Sequence, residues 1–264
     1  MKKRVLLIPG LMLAGTILMG GVLRAADDDG GHGSACSALP SYAALKAALN
    51  AAQDQPNGGF ALEMWASVVN RDGIVCAVAF TGAHRGDQWP GSRVISAQKA
   101  NTANAFSLPG LALSTANLYS AVQPGGSLFG LQESNPVDTS VAYGGNAVNF
   151  GRANDPMVGN RIGGVNVFGG GLALYNASGT LVGAVGVSGD SSCADHNIAW
   201  RVRATLNLDY VPGGVSGDPS RQDNIVYDIT PQAGQMPGVS AGGWGHPACT
   251  PAATAIAAGL PVTK

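Results

Sequence analysis

The chain has 264 residues, of which 45% are hydrophobic and only 12% charged, with a formal net charge of −1. Folded proteins average roughly 25% charged residues, so disorder driven by charge is excluded. A near-neutral chain with only 15 basic residues gives no footprint for a phosphate backbone, which excludes nucleic acid as a partner. The 39 glycines and 15 prolines make up a fifth of the chain, short of low complexity, and the length suits one core with extensions.

Lys2, Lys3 and Arg4 precede a run without charge from Val5 to Leu23, and Ala25-Ala26 offers small residues for cleavage before Asp27. That order reads as a signal peptide over residues 1–26, although the run is also long enough to stay as an anchor. The stretch carries four of the 15 basic residues and no acidic one; its removal leaves 11 against 16, a net charge of −5. A cleaved chain needs no membrane. All four cysteines (Cys36, Cys76, Cys193 and Cys249) lie beyond it, and an even count in an exported chain predicts two disulfides and a periplasmic or secreted protein.

Residues 27–40 read as a flexible acidic segment. Ser41 caps a short helix with Tyr42, Leu45, Leu49 and Ala52 along one face, ended at Pro56-Asn57-Gly58-Gly59. Alternating residues from Ala61 to Val69, the turn Asn70–Gly73 and a return from Ile74 to Phe80 predict a hairpin. A polar, aromatic loop (81–91) leads to a helix from Ser92 to Phe106, and a second helix is expected over Leu111–Val122. Residues 127–160 read as an irregular insertion. Ordered segments at 163–168, 170–175 and 180–187 follow, then a helix opened by Ser192 with Asp195 three residues on, reaching Leu206. Residues 209–264 read as a Pro/Gly-rich extension.

This order predicts an α+β fold: an antiparallel sheet of about five strands with helices packed on one face. It also orders the cysteines. The first helix must run back along the first strand, which brings Cys36 to the start of the return strand that carries Cys76. The tail is long enough to return Cys249 to Cys193.

No GxSxG, HExxH, phosphate loop or dinucleotide fingerprint is present. His84 stands beside Arg85, Asp87 and Trp89 in the glycine-bounded loop, where it reads either as a metal or haem-iron ligand or as a surface hydrogen-bonding residue. Lys99, one of three lysines beyond the leader, sits on a mixed helix face. It suggests a nearby anion or buried carboxylate, or a snorkelling side chain at a helix edge.

The helix SRVISAQKANTANAF (92–106), with its KA-x-TA-x-x-F core, resembles the GlcG/HbpS family of haem-degrading or DUF336 domains. So does LVGAVGVSGDSSCADHNIA (181–199), with its VGAxGVSG strand and loop. The resemblance covers residues 41–208 and implies a PAS/profilin-like sheet, a homo-oligomer and binding of haem or a related tetrapyrrole. Matched by position, it marks Lys99, Thr102, Phe106, Gly186, Ser188, Gly189 and Asp195, and assigns no axial histidine. A haem pocket on this chain would draw cations from Arg85, Arg93 and Lys99, apolar walls from Phe106, Val185 and Val187, and a metal donor from His84. Two alternatives stay open: an enzyme on a small metabolite using Lys99 and Asp195 as acid and base, and an extracytoplasmic sensor or partner-binding domain without cofactor.

Overall fold

The computed structural model describes residues 35–264; the expected leader and the first part of the acidic segment lie outside them. Helix α1 (Tyr42–Gln53) starts where the Ser41 hydroxyl accepts from the Ala44 N–H, and it buries Leu45, Ala48, Leu49 and Ala52. Strands β1 (Trp65–Asn70) and β2 (Val75–Phe80) pair antiparallel around the expected turn, where Gly73 takes a φ of 76°. Strands β3 (Gly171–Tyr175) and β4 (Leu181–Ser188) form a second hairpin, and β4 pairs with β1. The sheet order is β2-β1-β4-β3, antiparallel throughout. The fold is α+β, as the sequence predicts.

Two details of that expectation are corrected. The main sheet has four strands, because residues 163–168 do not join it: Gly163 and Gly164 take positive φ (64° and 77°), which interrupts ladder geometry. Helices cover both faces. Residues of β1 and β3 are buried without alternation, so each face of the sheet needs a cover. Ala66, Val68, Leu172, Leu174, Val185 and Val187 pack with α1 and α4 (Ser192–Thr205). Trp65, Val69, Val78 and Ala184 pack with α2 (Ser92–Phe106).

The helix expected over 111–122 becomes two 3-10 turns, Thr115–Leu118 and Ser120–Val122. Ser114 and Asn117 cap each other, and Thr115 Oγ1 accepts the Gly171 N–H at 2.9 Å, which ties this segment to β3 instead of letting a helix run on. Within residues 127–160 a single turn of helix, α3 (Thr139–Ala142), is capped by Asp138. The C-terminal residues form the hairpin β5 (Ile229–Gln232) and β6 (Gln235–Ser240) and the helix α5 (Pro251–Ala258). Ala253, Ala257 and Leu260 enter the same apolar cluster as α1 and α4. The disulfides join Cys36 to Cys76 and Cys193 to Cys249, with Cα atoms 5.7 and 6.0 Å apart. Both pairings are those the topology predicts. Among the described residues no helix is long and apolar enough to cross a membrane.

Candidate functional site

Three buried ion pairs organise the molecule. Gly186 on β4 faces α2 so closely that an added Cβ would stand 2.0 Å from the Ser96 carbonyl oxygen, and at Gly171 one would stand 2.5 Å from that of Lys99. Only glycine lets the α2 backbone rest on the sheet here. The Lys99 side chain then passes the end of β3 at Gly170, where a Cβ would lie 3.1 Å from its Nζ. It donates to Asp195 Oδ2 at 2.7 Å and to the Val187 carbonyl at 3.2 Å. Asp195 Oδ1 accepts the Asp190 N–H at 2.9 Å. Burial pushes the Asp195 carboxyl up to about 6 against the pull of Lys99. Lys99 and Asp195 are 1% and 2% exposed, so this pair ties α2 to α4 and is sealed from solvent.

The second pair joins Arg93 to Asp155: Nε donates at 2.8 Å, Nη2 donates to the other carboxylate oxygen, and Nη1 donates to the Ala142 carbonyl at 2.8 Å. The guanidinium also stacks 3.7 Å from the Phe150 ring centroid. The third joins Arg203 on α4 to Asp223 at 2.6 and 2.8 Å, both fully buried. Each irregular segment, 127–160 and 209–264, is thus bound to a helix of the sheet domain by one buried pair.

Two buried histidines carry a consequence for acid stability. His196 packs against Trp200, its Nε2 lies 3.1 Å from Asn224 Oδ1, and burial lowers its pKa to about 3. His246 Nε2 accepts the Gly169 N–H at 3.4 Å, and burial lowers its pKa to about 4. A histidine with a depressed folded pKa costs stability as pH falls below its unfolded value near 6.5. Asp195, with a raised folded pKa, works the other way below about pH 6. At pH 5 the two histidines together cost about 4 kcal/mol and Asp195 returns about 1 kcal/mol. Urea unfolding is expected to show a net loss of about 2–3 kcal/mol between pH 7 and pH 5. A flat profile over that range contradicts it.

A cavity of about 350 Å³, open to solvent on one side, lies at the start of α2. Trp65, Pro90, Val94, Ala147 and Phe150 give it apolar walls, and Arg85, Gly86, Gly91, Arg93 and Tyr143 complete it. The Trp65 indole is fixed by its N–H to the Trp89 carbonyl at 3.1 Å and by edge contact with Phe80.

The ten residues marked in the sequence do not converge on this cavity. Arg85 and Arg93 line it. Arg85 is exposed and no ion pair or hydrogen bond engages its guanidinium among the described residues, whereas Arg93 is committed to Asp155 and is no free cation. His84 is exposed beside Arg85 but does not line the cavity; its backbone N–H donates to Asp87 and its carbonyl accepts from Gln88. Thr102 donates to the Gln98 carbonyl and accepts the Asn166 N–H. Ser188 bonds Ser92, and Gly189 approaches the Glu63 carbonyl, where a Cβ would stand 2.6 Å away. Phe106 sits at the far end of α2, about 20 Å along the axis, among Leu113, Leu118 and Val122. The cap of α4 is shifted by one residue from the expected one: Ser191, not Ser192, holds the N-cap position, and its hydroxyl accepts the Ala194 N–H.

Sequence reasoning missed Trp65, Tyr143 and Phe150. Trp65 reads as one member of an alternating strand. The other two lie in the stretch taken as insertion, where two aromatic residues seven apart among Gly and Asn were the available signal.

The family model described as haem degrading protein HbpS-like matches residues 41–203. The chain belongs to the HbpS-like family. The match takes in α1 through most of α4, the four-stranded sheet and residues 127–160, and stops at the arginine that binds Asp223. Among solved structures, the chain is 25% identical to PduOC in a complex with heme, with a TM-score of 0.43 over 63% of this chain and 91% of that one. It is 25% identical to protein ORFY of Klebsiella pneumoniae, TM-score 0.43, over 63% and 90% of the two chains. A double mutant of HbpS from Streptomyces reticuli is 18% identical, TM-score 0.41, over 75% of this chain and 99% of that one. No curated protein matches the chain.

Proposed function

We propose that this HbpS-like chain is an exported protein that binds haem or a related tetrapyrrole in the cavity at the start of α2. The observation that carries the reading is the lining: an apolar pocket with a cation at its edge, Arg85, that has no partner among the described residues. A tetrapyrrole presents a flat apolar ring and carboxylates, and it needs an apolar slot and a positive charge. At about 350 Å³ the cavity stands at the lower end of ligand sites, so it would hold part of the ring and leave the rest in solvent. Bound iron would supply redox or ligand-exchange chemistry. The chain's own residues do the holding: Trp65 and Phe150 give apolar contact, Arg93 and Asp155 fix the floor, and Arg85 meets a carboxylate.

Export rests on the leader sequence together with two disulfides, which persist in oxidising compartments. Uptake, storage and sensing of a tetrapyrrole are the roles such a module would serve. An enzyme built on Lys99 and Asp195 is disfavoured, because a substrate cannot reach a pair so deeply buried.

Titration of the oxidised protein with hemin, followed by absorbance, is expected to give a saturable Soret band, and Arg85→Ala to weaken binding about three- to tenfold. Absence of a saturable Soret change sinks the reading. Light scattering on the same samples tests the proposed homo-oligomer, which a stable monomer at micromolar concentration would exclude.

A further inference from the structure

We propose that Tyr143 is the residue by which this cavity ligates ferric iron; the proposal rests on the tetrapyrrole reading above and assigns its metal donor. Among the residues that line the cavity, Tyr143 alone carries an atom suited to bind iron. The others are aliphatic or aromatic hydrocarbon, glycine, an indole and two guanidinium groups, which offer N–H donors and no lone pair to a metal. His84, the donor expected from the sequence, is outside the lining.

The placement of Tyr143 is built, not incidental. It follows the single turn of α3, whose first N–H groups are held by the Asp138 carboxylate. The preceding residue, Ala142, is buried, and its carbonyl accepts from Arg93 Nη1. The same guanidinium binds Asp155 and stacks on Phe150. One buried arginine therefore fixes the Tyr143 backbone, the Phe150 ring and the cavity floor relative to each other. The Tyr143 side chain, by contrast, is 65% exposed. Its hydroxyl has no hydrogen-bond partner among the described residues. A phenol at the mouth of an apolar cavity, on an anchored backbone with a free side chain, can turn toward a ligand at little cost.

Phenolate is a hard, anionic donor that ligates ferric haem iron. Binding forms one iron–oxygen bond and releases the phenol proton to solvent, with no change of oxidation state. The preference of an anionic oxygen for the ferric ion implies that reduction of the bound iron weakens the attachment.

The test compares wild type, Tyr143→Phe and His84→Ala, each oxidised and checked by circular dichroism, loaded with hemin and with metal-free protoporphyrin. Hemin on the wild type is expected to give a high-spin ferric spectrum with a phenolate-to-iron charge-transfer band. Tyr143→Phe should lose that band and bind hemin about tenfold more weakly or worse, yet keep wild-type affinity for protoporphyrin. The porphyrin arm separates ligation from a packing role of the ring. A wild-type hemin spectrum in Tyr143→Phe, or a Soret shift in His84→Ala alone, overturns the assignment and leaves the tetrapyrrole reading intact. Failure of the wild type to bind either compound removes the tetrapyrrole reading itself, and this donor with it.

Discussion

Lys99→Met is expected to destabilise the protein by about 3–5 kcal/mol, the range for breaking one side of a buried ion pair. The substitution keeps the length and apolar stem of the side chain but removes the ammonium that sits 2.7 Å from Asp195. The carboxylate remains 2% exposed and must either stay charged without its partner or take up a proton. Burial already raises its pKa to about 6, and loss of Lys99 raises it further. The sign of the pH dependence follows. A group with a raised folded pKa binds its proton more readily in the folded state, so the penalty is smallest in acid and grows as pH rises past 6. The loss should therefore be clearly larger at pH 8 than at pH 5. Lys99→Met combined with Asp195→Asn should recover part of it, since the amide oxygen can still accept the Asp190 N–H. Urea unfolding at both pH values reads these outcomes. A loss below about 1 kcal/mol, or one equal at the two pH values, contradicts the account.

The same residue shows what was legible in the sequence. A lone lysine in a helix of small residues announces a buried anion or an edge, and the anion is Asp195, which the second family motif also marks. Both motifs are visible because they are the places where backbone and charge meet: Gly186 admits α2 to the sheet, and Lys99 reaches through beside Gly170. They record how the domain is assembled. The hairpin 65–80, the first helix and both disulfide pairings were legible for similar reasons, since short turns leave few geometries. The cavity was not. Its walls come from the first residue of a strand, the start of α2 and residues 143–150, and only the tertiary path of an irregular segment brings them together. Arg93 illustrates the difficulty. Sequence offers it as a cation for a ligand, and the structure spends it on Asp155, 62 residues away. Arg85, in the loop that leads into the same helix, is the cation left over among the described residues that line the cavity.

Chain length beyond the family match raises a parallel question about residues 209–264, and the Cys193–Cys249 bond answers it. Cys193→Ser with Cys249→Ser is expected to cost about 4 kcal/mol in the chain-entropy account, because the bond closes a loop with a sequence separation of 56. The loss should appear as a lower midpoint in a single transition, without a separate early step. The tail does not depend on the disulfide for its place. Asp223 neutralises Arg203 inside the protein, Trp200 donates to the Pro261 carbonyl at 2.9 Å, and Asn197 donates to that of Ala253 at 3.1 Å. Ala253, Ala257 and Leu260 share one core with α1 and α4. Peeling the tail away would leave a buried arginine unpaired and strip the outer side of α4, so the tail and the sheet domain must unfold together. Non-reducing denaturation monitored by tryptophan fluorescence and circular dichroism tests this. Coincident transitions at a lowered midpoint fit a tail built into the core. A biphasic transition, or no change in midpoint, would show a tail merely tethered by its sulfur bridge.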